Sequence, residues 1–102
     1  MAQRFTVYGI RVRGTSEVRY VGFTRFSPAE RLTRHFVTGN YRRCFKTWLL
    51  DNRDSLEAFP IIKCRDKAVA RAMEKAAIAT SALLGHRLFN SDHVPAHLRI
   101  AA

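Results

Sequence analysis

Two tyrosines, an arginine–histidine pair and one glutamate have the types and spacing that chemistry on a phosphate ester would use. Tyr8 and Tyr20 lie in two tyrosine-centred patterns, Val7-Tyr8-Gly9 and Tyr20-Val21-Gly22, with eleven residues between the tyrosines. Arg31 and His35 stand four residues apart, Glu74 follows Arg71 by three, and Asn90 comes directly after the apolar pair Leu88-Phe89. Hydrolysing a phosphodiester requires a deprotonated water, neutralisation of the charge growing on the phosphoryl oxygens, and help for the leaving oxygen. A single carboxylate holds a hard divalent cation adequately when water and substrate oxygens complete its shell, so Glu74 alone is enough protein for Mg²⁺. Each residue also has an ordinary use. Glu74 would pair with Arg71 on a solvated helix face, Arg31 with a neighbouring acid, and His35 would be a satisfied, half-buried histidine. The tyrosines suit any half-buried sheet, and Asn90 suits a turn.

The charge favours a polyanionic partner. Eighteen Lys and Arg against eight Asp and Glu leave +10 on 102 residues, and fourteen of those cations are arginine, whose planar fork grips a phosphate in bidentate fashion. Nucleic acid is the leading partner, and a basic pI kept for solubility is the bland alternative. The cluster Arg42, Arg43 and Lys46 after Tyr41 combines cations with a ring, which suits phosphate tracking with base stacking as well as it suits a solvated helix face. Arg25 joins these as a candidate nucleic-acid contact. The opening MAQRFTVYGI carries no apolar run behind a basic segment, and no eighteen apolar residues occur in succession. Neither a secretion signal nor a membrane span is therefore expected, and the setting is expected to be intracellular, cytoplasmic or nucleoid-associated. Cys44 and Cys64 lack any CxxC spacing and read as buried free thiols. His93 and His97 are four apart, but Pro95 between them opposes the helix a zinc pair would need.

The elements that must position these residues are legible in outline. Residues 4 to 11 and 17 to 23 are rich in Phe, Val, Tyr and Ile, and Arg13-Gly14-Thr15-Ser16 between them is turn chemistry, so a hairpin is predicted. A turn centred near Gly14 or Thr15 keeps Tyr8 and Tyr20 on one face, because the side-chain period of a strand is two. Ser27-Pro28-Ala29-Glu30 is a helix start, with Ser as N-cap, Pro at the first helical position and Glu closing a capping box. The helix is predicted to run to about Thr38, burying Ala29, Leu32 and Phe36 and carrying Arg31 and His35 as a second stripe at the edge of that face. Gly39-Asn40 ends it. A shorter helix over residues 42 to 50 would bury Phe45, Trp48 and Leu49.

Residues 59 to 64 read as a third strand, with Pro60 at its start or on an edge. Asp66 caps the longest helix, through Ala68 to Leu84, closed by Gly85. The tail from His86 is irregular, with Leu88 and Phe89 apolar enough to dock. The whole is one α+β domain over residues 1–102, a small three-stranded antiparallel sheet flanked by helices in the order ββααβα, read as one pair of layers, with 91–102 irregular.

The ordered set Val7-Tyr8, Tyr20-Val21-Gly22, Arg31, His35, Glu74 and Asn90 resembles the GIY-YIG nuclease family, and the likeness covers nearly the whole chain. In that family a first Tyr precedes the YIG tripeptide by ten or eleven residues. An Arg, often with a His four later, follows on the first helix; a Glu sits on a later helix and an Asn comes near the domain end. The chain departs from the pattern at Thr6, Val21, Phe23 and Lys75, and Phe23 bears on contact with the cleaved strand. The resemblance implies a metal-dependent endonuclease, with DNA favoured over RNA. Tyr8 would orient or deprotonate the attacking water, Tyr20 would hydrogen-bond at the same locus, and Arg31 would clamp the scissile phosphate. Glu74 would hold Mg²⁺ or Mn²⁺, and Asn90 would complete the catalytic set. A tyrosine of ordinary pKa, about 10, is a poor base at neutral pH unless Arg31 and the metal lower it, and His35 would then relay the proton. Without a separate recognition domain, targeting would fall to loops, a homodimer or a partner protein. The alternatives are a basic module of the same fold that holds nucleic acid without cutting it, and a ribosome-associated structural protein.

Overall fold

A computed structural model describes residues 4–37, 43–90, 94 and 96–98. The predicted hairpin is present: β1 (Phe5–Val12) pairs antiparallel with β2 (Tyr20–Thr24), with Tyr8 opposite Gly22 and Ile10 opposite Tyr20. Tyr8 and Tyr20 therefore share a face, as a turn centred on Thr15 requires. The turn closes through the Thr15 amide and hydroxyl, both donating to the Val12 carbonyl at 3.0 and 2.7 Å. β2 begins three residues later than its apolar pattern suggests. Residues 17–19 turn instead toward the C-terminal segment: Arg87 pairs with Glu17 at 2.8 Å, the Val18 amide donates to His86 Nδ1, and the Phe89 amide donates to the Arg19 carbonyl.

α1 (Pro28–Val37) opens on the expected cap, the Glu30 amide donating to Ser27 Oγ at 3.2 Å and Ser27 Oγ donating to the Glu30 carboxylate at 3.3 Å. α2 (Arg43–Asp51) follows, burying Phe45 and Leu49 with Trp48 half-buried. β3 (Leu56–Cys64) completes the sheet in the order β2-β1-β3. It starts three residues before its predicted position, since Leu56, Glu57 and Ala58 continue the ladder opposite Val12, Arg11 and Ile10. Pro60 lies inside this strand rather than at its start. The register shifts beside it, and as an edge strand β3 tolerates the missing donor. α3 (Lys67–Leu83) is capped by Asp66, whose carboxylate accepts from the Ala68 amide at 2.7 Å. It ends at Gly85, whose φ of 94° is the left-handed geometry that glycine adopts without strain. A single 3₁₀ turn, Ala96–Leu98, lies in the tail.

The pair of layers expected from the sequence is in fact three. Val7 and Val21 pack on one face of the sheet with Ile78 and Ala82 of α3, together with Leu88 and Val94. Tyr8 and Ile10 pack on the other face with Phe45 and Leu49 of α2, joined by Leu32 and Phe36 of α1. One helix lies on one side and two on the other, covering the central strand on both faces, while residues 60–63 of β3 stay exposed. In α1 the buried stripe is shifted from the expected one: Ala29 is exposed, whereas His35 is 2% exposed and lies inside the core.

The C-terminal segment closes the β2 edge. Leu88 enters one core and Phe89 the other, an alternation of period two, and the next side chain substitutes for a strand. Asn90 accepts from the Val21 amide at 2.9 Å and donates to the Val21 carbonyl at 2.8 Å, satisfying both backbone groups of an edge residue that is itself fully buried. Asn90→Ala removes both bonds and should lower the unfolding free energy by about 1–3 kcal/mol. A urea titration should show this as a lower midpoint with unchanged slope, and an unaltered midpoint would mean that Asn90 does not hold the β2 edge.

Candidate active site

The site is built outward from Tyr8 on the central strand. Its ring lies across Gly22 on the neighbouring strand so closely that a Cβ added there would stand 2.7 Å from the Tyr8 hydroxyl and 2.9 Å from its Cζ. A glycine at this register position lets the phenol cross β2 and reach α1, where its hydroxyl meets His35 Nε2 at 2.7 Å. Tyr20 completes the cluster. Its ring centroid is 6.4 Å from Tyr8 and 5.2 Å from His35, edge-on to the imidazole, and it stacks on Phe45 of α2 at 4.6 Å with the planes 11° apart. Tyr8 is 1% exposed and Tyr20 is half-buried.

Burial, and secondarily the positive charge of Arg31 one turn earlier, push the His35 pKa down to about 4. The imidazole is neutral at physiological pH, and the direction of its hydrogen bond with the phenol follows the ring tautomer. The pair lies in a dry environment, with a guanidinium one turn earlier on the same helix.

Arg31 also faces a pocket of about 370 Å³ at one end of the sheet. The start of β1, the end of β2, the first half of α1 and the first turns of α3 meet there. Its walls carry the cations Arg25, Arg31, Arg34, Lys67 and Arg71 and the rings of Phe5, Phe23 and Phe26, with no carboxylate among the described residues that line it. Arg25 and Arg31, both singled out in the sequence, are brought together here. Arg34, Lys67 and Arg71 were missed. Their spacing, three after Arg31 and four apart on α3, is the pattern that places two residues on one helix face, but only the fold makes the two helices converge.

Glu74 is not on the solvated face that a surface pair with Arg71 would imply. It occupies the stripe of α3 formed by Ala70, Ile78 and Ala82, all of them buried, and is itself half-buried. One turn before Ile78 and three residues past Arg71, it stands between the core and the pocket. α3 packs on the opposite face of the sheet from Tyr8, Tyr20 and His35, so the glutamate and the tyrosine–histidine cluster belong to different faces and approach a common place only around the sheet end. Asn90 belongs to the edge of β2, committed to the Val21 backbone.

Of the remaining candidates, Arg43 and Lys46 are exposed on α2, and Arg43 lines a separate open groove with Trp48 and Asp51. Tyr41 and Arg42 lie outside the described residues, as does His93. Among the described residues no three His, Cys, Asp or Glu side chains converge. No helix among the described residues is long and apolar enough to cross a membrane. Comparison with known proteins finds no family, no curated protein and no solved structure that matches the chain.

The depressed His35 pKa fixes a pH response. The folded imidazole titrates near 4 and the unfolded one near 6.5, so below 6.5 the unfolded chain takes up a proton that the folded chain refuses, and stability falls as pH falls through that window. Between about pH 7 and about pH 5 the wild type should lose about 2 kcal/mol of unfolding free energy. Glu17, held at about 2 chiefly by its hydrogen bond to Arg87, adds its own loss only below 4.5. His35→Phe should flatten the slope across the upper interval in paired urea titrations, and equal slopes for the two proteins would contradict a neutral, buried His35.

Proposed function

We propose that this chain is a metal-dependent endonuclease that hydrolyses phosphodiester bonds in nucleic acid, DNA being favoured by the resemblance to GIY-YIG nucleases. The observation that carries the reading is the Tyr8–His35 hydrogen bond of 2.7 Å beside Arg31, a guanidinium that lines a pocket with four other cationic side chains. A core gains nothing from such a pair that apolar side chains would not supply, since burying two polar groups costs free energy that their hydrogen bond serves to offset. Half-burial of Glu74 on an otherwise apolar stripe supports it in the same way, because a carboxylate placed there loses hydration that a surface position would keep.

In this reading Arg31 holds the scissile phosphate and neutralises charge developing on its non-bridging oxygens. Tyr8 directs its hydroxyl at the attacking water, and the proton that the water gives up passes to the phenol oxygen as the phenol proton moves to His35 Nε2. Tyr20, stacked on Phe45, holds the imidazole edge-on and keeps its orientation. Asn90 acts through the backbone, pinning Val21 and with it the strand that carries Tyr20 and Gly22. Glu74 would hold the divalent cation, which supplies charge neutralisation and an acidified water when bound. The remaining arginines supply affinity without sequence preference.

One observation favours a second reading, a basic module that binds without cutting. Tyr8 and His35 are 1% and 2% exposed, so a strand reaches the phenol only if the surrounding side chains move. The two readings separate on labelled single-stranded, duplex and branched DNA and on RNA, incubated with Mg²⁺ or with chelator and sized on a gel. The nuclease gives metal-dependent products, the binding module gives none.

Glu74→Gln should abolish cleavage while leaving affinity in chelator nearly unchanged, because the shape and the basic surface are kept. Arg31→Ala should slow cleavage by roughly 10²-fold, the scale of one preorganised donor, with a much smaller loss of binding. Near wild-type cutting by Glu74→Gln would sink the metal assignment. A small equal drop in rate and affinity for Arg31→Ala would reduce that residue to one phosphate contact among many.

A further inference from the structure

The phosphate clamp explains the cations of the sheet-end pocket but not its rings. Phe5 and Phe23 meet edge to face at 6.2 Å and form one wall. Phe26 stands on the rim, 43% exposed, with the Arg34 guanidinium 3.9 Å above its ring. An inorganic anion would need the arginines and gain nothing from three phenylalanines, whereas an apolar ligand would gain nothing from five cations. A nucleotide carries both a flat π surface and a phosphate. The volume of about 370 Å³ lies within the range of small-ligand pockets, about 300–1,000 Å³.

We propose that this pocket receives one unpaired nucleobase adjacent to the phosphate held by Arg31, so that the chain selects single-stranded or locally unpaired nucleic acid over a continuous duplex. The inference rests on the phosphate-binding part of the function proposed above and adds the substrate class. A base inside a duplex is stacked on both faces and paired on its edge, and must be extruded before it enters a lined cavity. That penalty is absent for a base that is already unpaired. Stacking on the Phe wall and on the Arg34–Phe26 pair accepts any base, since every base presents a π face, and selection is therefore by strandedness and not by sequence. Arg31 comes to the pocket from α1 and Phe23 from the α3 side of the sheet, so a nucleotide whose phosphate meets Arg31 can turn its base toward Phe5 and Phe23.

The test is binding in chelator, read by fluorescence anisotropy. The probes are an end-labelled single strand, the same strand in perfect duplex, that duplex with one bulged nucleotide, and a strand of equal length made of abasic sugar-phosphate. Wild type should bind the single strand and the bulged duplex about tenfold or more tighter than the perfect duplex, with the abasic strand no better than the duplex. Phe26→Ala, at an exposed position, should erase this preference and leave duplex affinity unchanged, while Phe26→Trp should restore it. Equal affinity for all four probes, or an equal loss on every probe in Phe26→Ala, would overturn the base pocket. Because no cleavage is measured, a chain that fails to cut still passes or fails this test on its own. A chain that cuts in Mg²⁺ yet shows no strand preference refutes the pocket and leaves the nuclease reading intact.

Discussion

The phenol of Tyr8 crossing over Gly22 to His35 is the constraint on which the rest of the structure turns. It ties the central strand to the edge strand and both to α1, and it permits one hairpin register. A slip of one residue would set Tyr8 against Val21 or Phe23, put a Cβ where the ring must lie, and send Tyr20 to the other face. The bond is also buried, so loss of either partner removes a hydrogen bond from the core. Around it Tyr20, Phe45, Trp48 and Phe89 form a chain of aromatic contacts that carries α2 and the C-terminal segment onto the same face.

Covering the sheet on both sides has a consequence for where chemistry is reachable. With α1 and α2 on one face and α3 on the other, the side chains of Val7, Tyr8 and Ile10 on the central strand are buried. The β2 edge is occupied by Phe89 and Asn90. The end formed by Phe5, Thr24 and Arg25 stays open, and the starts of α1 and α3 both reach it. Glu74 and His35, on helices that pack on opposite faces, each lie about one turn past a residue that lines that opening, Arg71 and Arg31.

The parts of this arrangement that follow from local chemistry were legible in the sequence. The Ser27 and Asp66 caps, the Gly85 stop, the hairpin and the shared face of Tyr8 and Tyr20 all depend on residues within a few positions of one another. The rest depends on distant partners. Residues 17–19 look like strand by composition but are taken by Arg87, His86 and Phe89, some 70 positions away. His35 reads as an edge residue from its helical spacing, and only the glycine gap in β2 draws the Tyr8 ring across to bury it. Glu74 reads as a surface partner of Arg71 by spacing, and its place on the packed stripe of α3 emerges once Ala70, Ile78 and Ala82 are known to face the sheet. The pocket was invisible because its two halves lie about 40 residues apart and meet only through the sandwich.

The pocket's charge is placed against the preference of the helices that carry it. Helix N-termini present unpaired amides and a positive dipole end, which favour acidic side chains and disfavour cations by about 0.3–1 kcal/mol each near the terminus. Glu30 and Asp66 meet that preference at the caps of α1 and α3. Yet Lys67 stands in the first turn of α3, Arg31 and Arg71 follow within a turn, and Arg25 precedes α1. These cations do not match the dipole preference of the helix starts that carry them. An anion entering between the two helix starts reverses every one of these terms at once, since it is attracted by both dipoles and by each cation.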